Sequence, residues 1–157
     1  MANKTSYSIP NDFLSGPAPN PTVHYIDFTK TTLPEYKHNY AVILDGVITP
    51  SECSTLVSAA EEQSQGRWEP ATVDIGGGRQ MVIRNARNCG RIIWDNREIV
   101  ARIWKRVEGL VPELQRLDKW PNVTGSRLEK REVWRCTRLN ERMRFLKYTS
   151  GEYFKRE

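Results

Sequence analysis

The tetrapeptide Thr49-Pro50-Ser51-Glu52 constrains the fold of this 157-residue chain more than any other local feature, because it marks the start of a helix. Threonine caps a helix, proline suits the first helical position, and glutamate three residues on can bond back to the cap. The apolar residues that follow have the spacing of one helical face: Cys53, Leu56, Val57 and Ala60. Gly66 offers the stop. We therefore expect a helix that buries this face.

Three consecutive glycines, Gly76-Gly77-Gly78, separate two stretches that contain β-branched residues, Arg67–Ile75 and Arg79–Arg84. Glycine accepts the positive φ angles that a tight turn requires, which favours a β-hairpin. A phosphate-binding glycine loop is the alternative. It is disfavoured because no Gly-Lys-Ser/Thr follows and no helix is predicted to begin at the third glycine.

A second amphipathic helix is predicted from near Asp95 to Val111. Its apolar stripe has helical spacing and consists of Ile99, Ile103, Val107, Leu110 and Val111. Pro112 blocks continuation because proline lacks an N–H and clashes with the preceding turn. Trp94 and Trp104 are interpreted as packing residues rather than as a stacking platform.

Strands are predicted before and after the two helices. Tyr40–Leu44 has the form of a short buried strand that ends at the turn pair Asp45-Gly46. Arg131–Leu139 and Arg142–Tyr148 are predicted to form two more strands. Residues 1–39 are rich in proline and lack a sustained periodicity, so an extended or partly disordered arm is expected there.

The composition is typical of a globular chain, because 38% of the residues are hydrophobic and 27% are charged. The longest apolar run, Ala41–Leu44, is far shorter than the roughly 18 residues that suggest a membrane span. The cysteines are odd in number and lack Cys-x-x-Cys spacing, so reduced and mostly buried thiols are expected; they are Cys53, Cys89 and Cys136. With no signal peptide, these features predict a cytoplasmic or nuclear protein without a membrane partner.

Positive charge is concentrated towards the C-terminus. Between Arg127 and Glu157 there are ten Lys or Arg and five Asp or Glu, which accounts for the net charge of +5. Aromatic residues lie among these charges: Trp134, Phe145, Tyr148, Tyr153 and Phe154. Modules that bind single-stranded nucleic acid combine phosphate contacts with base stacking in this way. A solvated strand face is the simpler interpretation, so a nucleic-acid partner is kept as an alternative.

The order of these parts resembles that of the fungal and bacterial prolyl 4-hydroxylase-like Fe(II)/2-oxoglutarate dioxygenases. The matching pieces span residues 40 to 157 and are specific only as an ordered set. They are Leu44-Asp-Gly, the Thr49-Pro-Ser-Glu-Cys helix start, Trp68 with the glycine-rich hairpin, Arg84-Asn85-Ala-Arg87, Ile92-Ile93-Trp94-Asp95, Ile103-Trp104-Lys-Arg, Pro112 and the segment from Asn140 to Tyr148. The resemblance implies an α+β fold in which N-terminal helices pack on an incomplete double-stranded β-helix, or jelly roll. Residues 40–157 would be the N-terminal part of that domain.

The resemblance also implies where the chemistry of such an enzyme lies. A segment similar to Leu139–Glu157 leads, in the family, into a His-x-Asp pair of iron ligands, which would begin after Glu157. The complete oxidoreductase uses Fe(II), 2-oxoglutarate and dioxygen, with ascorbate as a further cofactor, to hydroxylate a C–H bond of a peptide or small-molecule substrate. This chain alone is therefore expected to be inactive, with no catalytic or metal-binding residue. Its strands Arg131–Leu139 and Arg142–Tyr148 would lack their partners.

The histidines lead to the same expectation without the family. A non-haem iron oxygenase of this type binds Fe(II) through two histidines and one carboxylate. The chain has two histidines, His24 and His38, and neither is followed two residues later by Asp or Glu. We interpret both as ordinary surface or packing residues.

Tyr148 is the one functional residue that the resemblance assigns. In the family, a tyrosine shortly before the first iron-binding histidine hydrogen-bonds 2-oxoglutarate, and Tyr148 has that spacing. A phenol suits this task because its rigid ring carries one donor at the tip. A core tyrosine whose hydroxyl bonds the backbone is the open alternative. For the whole chain, the alternatives are a non-catalytic scaffold and a small basic nucleic-acid-binding module.

Overall fold

The computed structural model describes residues 9–117 and 133–155. These residues combine helices with short strands, which confirms the predicted α+β class. In chain order the elements are β1 (Thr22–Tyr25), β2 (Val42–Asp45), α1 (Pro50–Gln63), β3 (Glu69–Pro70), β4 (Val73–Asp74), β5 (Gln80–Met81), β6 (Arg87–Asn88), β7 (Gly90–Asp95), α2 (Arg97–Val107), β8 (Arg142–Lys147) and β9 (Tyr153–Phe154). Short 3-10 helices lie at Phe28–Lys30, Pro34–Tyr36, Glu108–Leu110 and Pro112–Gln115.

The chain divides into two compact units, each built from separate stretches of sequence. The first contains Ser51–Arg97 and the described parts of Met1–Asn11 and Glu141–Glu157. The second contains Asp12–Pro50 and the described part of Glu98–Asn140. The first unit holds the small antiparallel sheets β3–β7–β8, β4–β5 and β6–β9, and the second holds the β1–β2 ribbon. No closed barrel is present in the described part of the chain.

Strand β7 is the centre of the first unit, because it pairs with β3 on one side and β8 on the other. Ile92 and Trp94 are buried on one face of β7. The Trp94 ring lies 6.4 Å from that of Phe145 in β8, so the prediction that Trp94 is a packing residue is confirmed. The strand predicted at Arg142–Tyr148 is also confirmed, as β8.

The strand predicted at Arg131–Leu139 is wrong for its described part, residues 133–139, which form no strand; residues 131 and 132 lie outside the described residues. The backbone of residues 133–139 forms hydrogen bonds with the segment after α2 rather than with a neighbouring strand. The Trp134 carbonyl accepts from Leu117 N–H, and Cys136 N–H donates to the Leu114 carbonyl, both at 2.8 Å. The expectation that β8 lacks a partner is wrong too. It pairs with β7 along its full length.

Helix α1 begins at Pro50, as the capping signal predicts. Its buried residues are Ala59 and Ala60, whereas Cys53 and Val57 of the predicted face are exposed. Residues two positions apart lie about 200° apart around a helix, so a face that contains Ala59 cannot contain Val57. The expectation of mostly buried thiols is therefore wrong for Cys53, although Cys89 is buried and Cys136 is half-buried.

The end of α1 is a Schellman motif. Gly66 N–H donates to the Glu61 carbonyl at 2.6 Å, and Gln65 N–H donates to the Glu62 carbonyl at 2.9 Å. The left-handed residue that this motif requires is Gln65, with φ of 57°. Gly66, the predicted stop, follows it and also has positive φ.

A Gln65→Gly variant is expected to be more stable than the wild type by about 0.5 kcal/mol, because relief of left-handed strain of roughly 1–2 kcal/mol exceeds the entropy that glycine loses on folding. The matched Gln63→Gly variant removes the same side chain from the last helical residue and is expected to be less stable by about 1 kcal/mol. Urea unfolding of both variants checks this. A fall in stability for Gln65→Gly contradicts it.

The predicted hairpin is confirmed as β4 and β5, although each strand is only two residues long. Gly76, Gly77 and Gly78 have φ angles of +84°, +62° and +73°. The Asp74 carboxylate accepts a hydrogen bond from Gly76 N–H at 2.8 Å, which fixes the start of the turn. Three consecutive left-handed residues explain why only glycine occupies these positions.

The core of the second unit is built on α2 and the segment after it. Trp104, Val107 and Val111 are buried together, so the packing role predicted for Trp104 is confirmed. Half-buried apolar residues from other elements complete the cluster: Val42, Leu44, Val47, Leu114 and Cys136. No helix in residues 9–117 or 133–155 is long and apolar enough to cross a bilayer.

Helix α2 begins two residues later than predicted, because β7 extends through Asp95. Two arginines of α2 hold the N-terminal stretch of this unit through its carbonyls. Arg102 donates to Phe13 at 2.6 Å, and Arg106 donates to Gly16 at 2.8 Å and to Val47 at 3.0 Å. These bonds fix the chain beside buried Phe13 and its buried neighbour, Leu14.

Candidate functional site

One face of the β3–β7–β8 sheet is open. Side chains alternate between the two faces of a strand, so burial of Ile92 and Trp94 leaves the residues between them on the other face. Ile93 is 42% exposed, and Leu146, the register partner of Arg91, is also 42% exposed. We call this surface the open face; its members are Arg91, Ile93, Asp95, Arg142, Arg144 and Leu146. It combines exposed apolar side chains with positive charge.

An ion pair orders one end of the open face. The Arg142 guanidinium donates from Nε to Oδ1 and from Nη2 to Oδ2 of Asp95, both at 2.8 Å. The hydrogen bonding from Arg142 lowers the pKa of Asp95, and the positive charges of Arg142 and Arg144 act in the same direction. Both members of the pair are half-exposed, so the pair fixes side-chain geometry more than it adds stability.

Tyr148 directly follows β8, and extension of the β7–β8 register by one residue places it opposite Cys89. The tyrosine is 45% exposed, so it is not a core residue. The Cys89 thiol and the Arg87 guanidinium lie close enough to its hydroxyl to shift its pKa. Hydrogen bonding with Cys89 and partial burial raise the pKa of the phenol, while Arg87 opposes the rise. Tyr148 is therefore protonated at neutral pH.

Arg87, in β6, extends this site towards β9. Its Cζ lies 4.6 Å from the centroid of the Phe154 ring, a cation–π distance. Burial lowers the pKa of Arg87, but hydrogen bonds with Cys89 and Tyr148 raise it above its ordinary value. Its Nε is buried and has no acceptor among the described residues. A buried, unpaired guanidinium donor suits an oxygen of a carboxylate or phosphate.

We call these residues the phenol–guanidinium cluster: Arg87, Cys89, Tyr148 and Phe154. The resemblance assigns a role to Tyr148 alone, and Phe154 appears among the aromatic residues of the nucleic-acid alternative. Arg87 belongs to one of the pieces of the resemblance, and Cys89 was interpreted as a simple thiol. Strand register brings the three polar members together, and no local pattern reports that register.

The two histidines are distant from this cluster in sequence, and both belong to the second unit. His24 is in β1, and its Nε2 lies 3.5 Å from Asp45 Oδ2. His38 is exposed. Among the described residues, no group of three or more His, Cys, Asp or Glu side chains is placed to hold a metal ion.

A second polar cluster joins two tyrosines of the second unit to one carboxylate. The Tyr25 hydroxyl donates to Glu113 Oε1 at 2.8 Å, and the Tyr40 hydroxyl donates to Oε2 at 3.1 Å. Burial, followed by the bond to Glu113, raises the pKa of Tyr40 to about 12. The bond to Glu113 is the main cause of a raised pKa for Tyr25. The carboxylate thus ties β1 to the segment after α2.

Stability of the second unit is expected to fall as the pH rises from 10.0, the ordinary pKa of tyrosine, to about 12, the pKa of Tyr40 in the folded protein. The unfolded tyrosine loses its proton first, so alkali favours unfolding. The contribution of the raised Tyr40 pKa to stability is complete below pH 10 and lost above pH 12. Urea midpoints from pH 9 to 12 should fall less steeply for Tyr40→Phe, whereas the control Tyr36→Phe should follow the wild type. Parallel curves for all three proteins contradict the assignment.

Comparison of the chain with models of protein families, with curated proteins and with solved structures found no match.

Proposed function

We propose that residues 40–157 are the N-terminal part of a prolyl 4-hydroxylase-like 2-oxoglutarate dioxygenase domain, in which β7 and β8 begin a double-stranded β-helix. The open face carries this proposal. One side of the β3–β7–β8 sheet is packed, and the other presents Ile93 and Leu146 to solvent. In a jelly roll, a second sheet packed about 10 Å away covers such a face.

Exposure of apolar side chains on one ordered sheet face is unfavourable, by roughly 25 cal/mol for each Å² left in water. A covering sheet removes this surface from water and leaves Arg91 and Arg144 pointing into the space between the sheets. Buried cations need partners, so that space would favour anionic ligands. 2-Oxoglutarate, a dianion, has the required chemistry.

Tyr148 is the residue that we assign to 2-oxoglutarate, through a hydrogen bond from its hydroxyl to a carboxylate or keto oxygen. The raised pKa keeps the phenol protonated and able to donate. Arg87, adjacent to the hydroxyl, adds a fixed positive charge and the unpaired Nε. When bound, Fe(II) and 2-oxoglutarate would supply the oxidising chemistry together with dioxygen, and ascorbate would serve as a reductant. The described residues hold no iron ligand set, so no iron-dependent step is assigned to them.

The test is to read the coding sequence beyond codon 157 and express the extended chain. A His-x-Asp pair directly after Glu157, with saturable 2-oxoglutarate binding by the extended chain, is the expected result. Tyr148→Phe should weaken that binding about tenfold, because a hydrogen bond to a charged group is lost. The control Tyr153→Phe also removes a phenol oxygen, one that donates to the Arg84 carbonyl, and should bind normally. Absence of the pair, or equal binding by both variants, contradicts the proposal.

A nucleic-acid-binding module is the second candidate, favoured by two cation–π contacts at the same end of the first unit. Arg87 lies over Phe154, and Lys155 Nζ lies 5.3 Å from the Tyr153 ring centroid. Phe154 is 59% exposed, and exposed rings beside cations can stack bases. Binding of single-stranded oligonucleotides that weakens steeply with salt and is lost in Phe154→Ala would favour this candidate. If single-stranded oligonucleotides do not bind even at low salt, this candidate is wrong.

A further inference from the structure

A pocket of about 190 Å³ opens in the first unit, and none of its lining residues belongs to the phenol–guanidinium cluster. Its lining comes from the turn after α1, the chain that enters β3, and the centre of β7: Ser64, Arg67, Glu69, Arg91, Ile92 and Ile93. One water molecule takes up about 30 Å³ in the liquid. The pocket therefore suits a molecule of a few heavy atoms rather than a large ligand.

Arg91 is held rigidly at this pocket. Its Nη1 donates to Thr72 Oγ1 at 2.7 Å and to Gln80 Oε1 at 3.4 Å. The Thr72 hydroxyl in turn donates to Gln80 Oε1 at 2.7 Å, which fixes both acceptors. The Arg91 Nε is buried and finds no acceptor among the described residues. A planar guanidinium held by one nitrogen, with a second donor unsatisfied, is ready to bind an oxyanion.

The other charges of the lining leave the pocket positive. Arg67 adds a second guanidinium, which makes no side-chain hydrogen bond or ion pair within residues 9–117 and 133–155. Glu69, the register partner of Arg91, supplies one carboxylate. Two arginines against one glutamate leave an excess of one positive charge, and Ile92 and Ile93 supply apolar wall.

We propose that this pocket binds a small oxyanion, a phosphate or carboxylate group, between Arg91 and Arg67. Arg91 supplies the oriented donor, and Arg67 supplies a second positive charge. The negative charge of Glu69 repels the anion and therefore limits the affinity of the pocket for it. Arg91 also belongs to the open face, whose positive charge we expect to favour 2-oxoglutarate, but neither Tyr148 nor Arg87 lines the pocket. The oxyanion site is argued from its own donors, and its test does not involve Tyr148.

The test titrates the full 157-residue chain with inorganic phosphate, and separately with acetate, at constant ionic strength, with backbone amide NMR shifts as the readout. We expect saturable shifts at Ile92 and Ile93. Arg91→Gln should weaken binding about tenfold, as expected for the loss of a charge-assisted bidentate contact. Glu69→Gln should tighten it severalfold, because it removes the opposing charge. Saturation by acetate alone would identify a carboxylate as the ligand group, and saturation by phosphate a phosphate.

The matched control is Arg79→Gln, which removes an exposed arginine of the β4–β5 hairpin in the same unit. It should bind like the wild type. Equal weakening by Arg79→Gln and Arg91→Gln would mean that only net charge matters, and shifts that grow linearly with both anions would mean adventitious binding. Either result overturns the site. If Arg91→Gln fails to fold, the exposed substitution Glu69→Gln decides, and unchanged affinity there overturns the proposal.

Discussion

A Gly46→Ala variant is expected to lose about 3 kcal/mol or more of unfolding free energy, because two unfavourable effects coincide at this residue. Gly46 has φ of +66°, and a Cβ added there would lie 2.0 Å from the backbone oxygen of Asn20. The main chain is held in that contact, since Asn20 N–H donates to the Gly46 carbonyl at 3.3 Å. The ribbon of β1 and β2 cannot keep its geometry with a methyl group between its flanking segments. Urea unfolding followed by circular dichroism measures the loss.

Substitutions at two other glycines distinguish the effect of the steric clash with Asn20 from the effect of left-handed backbone strain. Gly77 has φ of +62° with no heavy atom near its virtual Cβ, so Gly77→Ala should lose only the roughly 1–2 kcal/mol of left-handed strain. Gly16 has neither a positive φ nor a close neighbour, and Gly16→Ala should stay within about 0.5 kcal/mol of the wild type. An equal loss for Gly46→Ala and Gly77→Ala would show that Asn20 does not oppose the substitution.

Trp104→Ala is expected to lose about 3–5 kcal/mol, the usual effect when a buried indole is replaced by a methyl group. Trp104 is 8% exposed and packs with Val107 and Val111 at the centre of the second unit. Small domains are stable by about 5–15 kcal/mol in total, so this variant should be largely unfolded at moderate urea. Thermal and urea unfolding, followed by circular dichroism because the fluorophore itself is removed, provide the measurement.

The control for Trp104→Ala is Trp134→Ala, since Trp134 is 46% exposed. Its carbonyl accepts from Leu117 N–H, a bond that the substitution leaves in place. We expect a loss below about 1 kcal/mol, as for most exposed positions. If the two variants were equally destabilised, the core of the second unit would not be centred on Trp104.

Local chemistry explains which parts of the fold could be predicted. The start of α1 follows from a cap and a proline within four residues, and the β4–β5 turn follows from three glycines that must adopt positive φ. Both signals act within one turn of chain. The segment 133–139 has the composition of a strand, yet its backbone bonds Leu114 and Leu117. The choice between those partners is made by tertiary contacts, which composition does not report.

The candidate site follows the same division. Tyr148 could be singled out by its place in an ordered set of motifs, whereas Arg87 and Cys89 reach it through the pairing of β7 with β8. A register shift of one residue would carry Cys89 to the other face of the sheet. No feature near residue 89 specifies a partner near residue 148, so these members of the cluster become visible only in three dimensions.

The interleaving of the two units along the chain has a consequence for synthesis on the ribosome. Strand β7 is complete once residue 95 has emerged, but its partner β8 begins at Arg142, after all of Glu98–Asn140 has been made. Strand β6 pairs later still, because its partner β9 is made after β8. Synthesis proceeds at about 5–20 residues per second, so the paired edge of β7 and its apolar residues stay uncovered for seconds. A nascent-chain chaperone has its longest opportunity to bind during that interval.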